Sequence, residues 1–165
     1  MPISFSAMRK KLEQDNICDS LKGHIRYFAT RYRESHDAEG RVAILFDDAE
    51  IFKSSYFDWS SAISKRMQMQ TDAESLEERW KQLCKAAAED GCFDQYEFYD
   101  AFYAYDNQSV EHSLASDNPL VRLFAVWDRR TGKRRLLQMK DTIAQEPEWL
   151  RELMLLRLYA ENIKL

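Results

Sequence analysis

The sequence predicts an α+β protein in which an N-terminal helix and a small three-stranded antiparallel meander precede a helical bundle of about five to six helices. Three observations carry this. Residues 24–33 and 41–47 are short runs rich in aromatic and β-branched side chains. Asp47-Asp48 then offers a tight turn into a third run, 50–55. From residue 58 onward apolar residues recur every three or four positions, as a helix face requires. At 165 residues the chain is the size of one domain. It is read as a single domain, 1–165, with helix plus sheet over 1–57 and the helical body over 58–165.

Ser4 can cap a first helix whose Phe5, Met8 and Leu12 share one face, ending near Asp15-Asn16. The three strand runs are joined by connections short enough to make neighbours pair antiparallel. So small a sheet needs a helix over its apolar face. Asp58 is a possible cap for a helix carrying Trp59, Ile63 and Met67. Thr71-Asp-Ala-Glu74 reads as a capping box before a stripe of Leu76, Trp80, Leu83, Cys84 and Ala87, stopped by Gly91.

Residues 94–106 carry six rings and few polar positions, the pattern of a central helix. A short helix over about 108–115 leads to Asn118-Pro119, a cap followed by a proline at the first helical position. Residues 120–139 then form helices, or a hairpin across Thr131-Gly132; the Asn-Pro start favours the helices. Pro147 introduces the last helix, with Trp149, Leu150, Leu153, Leu156 and Ala160 on one face and further apolar residues beside it.

Apolar residues make up 45% and charged residues 32%, a composition that excludes an intrinsically disordered chain. No run approaches the roughly 18 apolar residues of a membrane span. The N-terminal stretch lacks the pattern of a signal peptide. A cytoplasmic location with no membrane association is expected. Cys18, Cys84 and Cys92 are odd in number and form no CxxC pair, so reduced thiols are expected. The net charge of −4 is unevenly spread: residues 1–70 carry +1, 71–118 carry −9 and 119–165 carry +4.

The four glycines, at 23, 40, 91 and 132, lie far apart, which excludes a P-loop or a dinucleotide fingerprint. No GxSxG, HExxH or EF-hand pattern occurs. The densest polar cluster joins His24 to His36, Asp37 and Glu39, with Glu34 beside them. A hairpin bringing these together would suit a divalent metal or general acid–base work, although hairpin loops are polar for ordinary reasons. Cys18 as a nucleophile competes with its simpler reading as a small buried hydrophobe.

The basic run Arg129, Arg130, Lys133, Arg134 and Arg135, with Arg122 before it, is the main surface anomaly. Arg129 and Arg130 are read as closing a helix terminated by a left-handed Gly132. Lys133, Arg134 and Arg135 would open the next helix, where the dipole disfavours cations. Internal acids, Glu146 or Glu148 or the 71–118 segment, are one reason for them; an anionic partner is the other.

Three functional readings follow. The first is a non-enzymatic binding protein with a protein partner or as a homo-oligomer, needing no cofactor or metal. The second is nucleic-acid or other polyanion binding through Arg122, Arg129, Arg130, Lys133, Arg134 and Arg135. The third is a metal-dependent hydrolase or nuclease using His24, His36, Asp37 and Glu39.

Two stretches, Cys18-Asp-Ser-Leu-Lys-Gly23 running on to Glu39-Gly-Arg41, and Asn118-Pro-Leu-Val-Arg122 running on to Asp128-Arg-Arg-Thr-Gly-Lys-Arg134, resemble those of small uncharacterised bacterial proteins. The resemblance implies a bacterial cytoplasmic source and no particular activity.

Overall fold

The computed structural model describes residues 3–31, 40–68 and 73–165. Ser4 caps α1 (Phe5–Lys10), its hydroxyl accepting from the Ala7 amide at 3.2 Å. The chain then widens into one π-helical turn, Lys11–Asp15, which ends where the sequence places the end of the helix. Met8 and Leu12 are buried on its inner side.

β1 (Ile25–Arg31), β2 (Gly40–Phe46) and β3 (Ala49–Ser55) form the expected antiparallel meander in that order. Tyr27 lies opposite Ile44, and Ile44 opposite Phe52. Asp47 and Asp48 both have positive φ, 48° and 66°, which gives the two-residue turn a twist matching that of the strands it joins.

Ile25, Tyr27, Val42 and Ile44 are buried. Rings from two helices meet Tyr27: Phe98 and Phe124 at 5.8 Å and Trp127 at 6.4 Å between centroids. The covering helices are α4 (Gln95–Asp106) and α6 (Pro119–Trp127). Along α6 every residue but Arg122 is buried, which makes it a central helix apolar almost all round. α9 (Glu148–Ala160) closes the core with Leu150, Leu153, Met154 and Leu158, and the Trp127 indole N–H donates to the Leu153 carbonyl at 3.1 Å.

The remaining helices are α2 (Tyr56–Arg66), α3 (Leu76–Glu89), α5 (Val110–Leu114), α7 (Lys133–Gln138) and α8 (Lys140–Ala144). The body is therefore cut into shorter pieces than the sequence pattern suggests, and residues 120–139 are helices. The caps shift in two places. Ser55, not Asp58, caps α2; Asp58 is its partner three residues on, its amide donating to the Ser55 hydroxyl at 3.2 Å and its carboxylate accepting from the Ser55 amide at 2.8 Å. α3 starts after Ser75, whose hydroxyl accepts from Glu78 N at 3.1 Å, while Thr71 lies outside the described residues.

Gly91 ends α3 as expected. Its φ of +77° is left-handed, and a Cβ there would sit 3.1 Å from the Trp149 ring. Gly132, by contrast, has φ −77° and stands before α7. α6 stops at Trp127, and Arg129 and Arg130 do not close it. An antiparallel bridge between Ile17 and Asp128 pulls Asp128 into an extended conformation, with Cys18 N donating to Trp127 O at 2.8 Å and Arg129 N to Asn16 O at 2.7 Å.

Candidate functional site

The six basic residues of the sequence reading divide into two sets. Arg122, on the otherwise buried α6, donates twice to Glu146 (2.9 and 2.8 Å) and once to the Ser116 carbonyl (2.9 Å). Arg130 grips the Asp128 carboxylate through Nε and Nη2. Arg135 reaches Glu111 at 2.9 Å. Internal acids thus account for these three. Arg129, Lys133 and Arg134 are exposed and make no ion pair among the described residues. The first turn of α7 contains no acid to offset them.

Beneath this loop lies a polar network that the sequence reading missed. Asp128 is 1% exposed and accepts from the Tyr105 hydroxyl, the Arg130 amide (2.7 Å) and the Arg130 guanidinium. Burial alone would raise its pKa, but these donors outweigh burial and hold it below the ordinary aspartate value. The Tyr105 phenol moves the other way, raised by burial and by the carboxylate it donates to.

Arg157, 3% exposed on α9, donates Nη1 to Asp128 O at 3.1 Å and Nη2 to Thr131 O at 2.9 Å. Its Nε lies 3.0 Å from Glu161 but outside hydrogen-bonding geometry. The signal for Arg157 was present in the sequence: it stands three residues after Met154 and seven after Leu150, on the core face of its helix.

The two stretches singled out by resemblance meet here. Residues 18–20 run beside 127–133, and with Arg157 and Glu161 they enclose an open cleft of about 390 Å³. Ser20 donates to Glu161 at 3.2 Å and lies 3.4 Å from the buried Cys18 sulfur. A neighbouring cleft of about 370 Å³ is walled by Arg130, Arg134 and Arg135 on the far side of Gly132.

A third cavity, about 280 Å³, opens between α3, α4 and the start of α6. Glu97 forms part of its wall. Burial, then the charge of Asp94, push this carboxyl up to about 7. The buried Trp59 indole N–H faces it and offsets part of the shift, although it makes no hydrogen bond of good geometry. Cys84, in the same wall, is pushed up to about 11 by burial and the same acids, so its thiol is a poor nucleophile. Asp94 and Glu97 already serve as the reciprocal cap of α4. A raised acid without an activated nucleophile reads here as a cost of packing.

The α2–α3 hairpin presents the largest departure from the expected burial. Leu83 and Ala87 pack with Ala62 and Ile63 in a small separate cluster. Leu76 and Trp80, earlier in the same stripe, are 85% and 47% exposed, and Met67 at the end of α2 is 54% exposed. Trp80 meets Trp59 edge-on at 5.9 Å, and Trp59 meets Tyr56 at 5.7 Å.

His24 pairs with Asp47 at 2.7 Å and stacks on Phe46 at 5.6 Å. His36, Asp37 and Glu39 lie outside the described residues. Among the described residues no group of three potential ligands is placed to hold a metal ion, and no helix is long and apolar enough to cross a membrane.

Fold and surface together define an α+β protein with a three-stranded meander under a helical body, a charged cleft on one side and an apolar helix face on another. The chain belongs to the SF0329 protein family, whose model matches residues 4–158, and the family's name carries no activity. No curated protein and no solved structure matches the chain.

Proposed function

We propose that this is a non-enzymatic interaction protein of the bacterial cytoplasm that self-associates through the exposed half of α3. The observation that carries the reading is one helical stripe, buried at Leu83 and Ala87 and bare at Leu76 and Trp80. Among the described residues Trp80 meets only the edge of Trp59, which leaves about half of it exposed, and Leu76 stands almost wholly bare. A second copy supplies what is missing. Trp80 is held in place by Trp59, so little side-chain freedom remains to be lost on binding.

The charge order along α3 favours a copy of itself over an unrelated surface. Glu77 and Glu78 precede Trp80 and Lys81 and Lys85 follow it, while the intervening Arg79 is turned to the Met67 carbonyl; Lys81 and Lys85 pair with Glu77 and Asp117 in the monomer and exchange these partners on association. Two α3 helices crossing antiparallel near Trp80 place the acids of each beside the lysines of the other. Such a contact is isologous and closes as a dimer.

Sedimentation of the untagged protein over a concentration series tests this. A monomer–dimer equilibrium is expected, and Leu76→Ser with Trp80→Ser should shift it to monomer with the helical content and a cooperative unfolding transition retained, the lost Trp59 contact lowering the midpoint. A wild type that stays monomeric up to its solubility limit, or a double variant that dimerises as well as wild type, overturns the reading.

A further inference from the structure

We propose that the cleft between residues 18–20, the α6–α7 turn and the end of α9 binds a phosphate-class oxyanion. Its cations come from two separate stretches of the chain, the α6–α7 turn and α9, and converge. Arg129 and Lys133 stand at the rim, exposed and without an acidic partner among the described residues. Arg157 forms part of the wall from below.

Arg157 is the less ordinary of these. It is 3% exposed, and both of its terminal nitrogens are used on main-chain carbonyls, which carry no net charge. Its Nε has no hydrogen bond. Among the described residues the acid paired with it is Glu161, which also accepts from Ser20. A buried cation this incompletely answered favours an anion nearby.

The cleft also contains two carboxylates. Asp19 is exposed, and Glu161 is engaged by Ser20 and Arg157, so the walls sum to +1 with both acids counted. Arg134 adds a further unpartnered cation across Gly132. Phosphate suits such a site better than a carboxylate ligand, because its several oxygens can meet cations arriving from different directions. Free phosphate compounds and a nucleic-acid backbone share this chemistry. They differ in how far along the basic surface they reach.

Calorimetric titration with inorganic pyrophosphate, and separately with a single-stranded oligonucleotide at two salt concentrations, tests the proposal and distinguishes the sources. Saturable pyrophosphate binding is expected, weakened at least about tenfold by Arg129→Ala with Lys133→Ala, since both removed groups are charged donors. Both side chains are exposed, so an unchanged unfolding midpoint verifies the fold of that variant. Arg134→Ala should leave pyrophosphate binding within about twofold of wild type, because Arg134 lies outside this cleft. An oligonucleotide that binds more tightly, weakens steeply with salt and also depends on Arg134 identifies the phosphate as that of a nucleic acid. An oligonucleotide no tighter than pyrophosphate points to a small phosphorylated ligand. Absence of saturable binding by either probe, or binding indifferent to the double variant, overturns the proposal.

Discussion

Asp128 and Glu97 are both carboxylates taken largely out of water, and the protein treats them in opposite ways. Asp128, at the end of α6, faces a tyrosine hydroxyl, a backbone amide and a guanidinium, and it titrates below its ordinary value. Glu97, in the first turn of α4, faces Asp94, and its pKa rises to about 7. The nearest lysine in its cavity wall, Lys85, is turned to Asp117 at 3.4 Å. Burial pushes both carboxyls upward. What separates them is the balance: at Asp128 the donors outweigh burial, whereas at Glu97 the Asp94 amide and the Trp59 indole offset only part of burial and a like charge, so one is a joint between elements and the other a net cost.

The largest effect expected from this contrast is at the joint. Asp128→Ala leaves the Tyr105 hydroxyl, the Arg130 amide and the Arg130 guanidinium without their acceptor, and should cost about 3–5 kcal/mol in chemical denaturation. The sign with pH also follows. A carboxyl held below its unfolded value contributes stability that is present above that value and is lost as pH falls through the folded one. The variant should therefore lose stability at neutral pH and show a flatter acid limb than wild type. Equal losses at pH 7 and at pH 2 would mean that Asp128 acts through its volume alone.

Glu97→Gln should do the reverse. A carboxyl raised from 4.5 to about 7 on folding weakens the native state as pH climbs through that interval, so stability from this group is full below about 4.5 and gone above about 7. Glutamine can still accept from the Asp94 amide, now 3.3 Å from the carboxylate. The variant is expected to be more stable than wild type by on the order of 2–3 kcal/mol at pH 8, with the gain vanishing near pH 4.5. A pH-independent difference between the two proteins would remove the contrast with Asp128.

How much of this was legible beforehand depends on the range of the interaction. The meander, its Asp47-Asp48 turn, the ring-rich helix over 94–106 and the Asn118-Pro119 start are set by neighbours within a few residues, and they stand where the pattern puts them. The α3 stripe shows the limit of periodicity. Spacing places Leu76 and Trp80 in line with Leu83 and Ala87, but only the second pair reaches the core, because coverage is a property of other elements.

Gly132 and the Arg129-Arg130 pair were misread for the same reason. The bridge from Ile17 to Asp128, more than a hundred residues apart in sequence, ends α6 early and outranks the local helix-stop signal. Within the basic run, sequence could propose internal acids as partners but could not sort Arg122, Arg130 and Arg135 from Arg129, Lys133 and Arg134. The Glu97 cavity left no trace in the sequence, where residue 97 is one of the few polar positions of a ring-rich helix.

The smallest effect sharpens the comparison most directly. The Trp59 indole N–H is the one donor group that lowers Glu97 from another side chain, and it does so without a well-formed hydrogen bond. Trp59→Phe removes that donor and keeps an aromatic ring against Tyr56 and Trp80. The Glu97 carboxyl, followed by side-chain ¹³C chemical shift across pH, should then titrate higher than in wild type by less than about one unit. A rise shows that even a poorly aligned donor offsets burial, placing Glu97 on the same scale as Asp128 with fewer and weaker partners. An unchanged or lower value would mean that desolvation and Asp94 alone set Glu97. The two carboxyls would then differ in kind, one governed by its side-chain donors and the other by burial and a like charge against a single backbone amide.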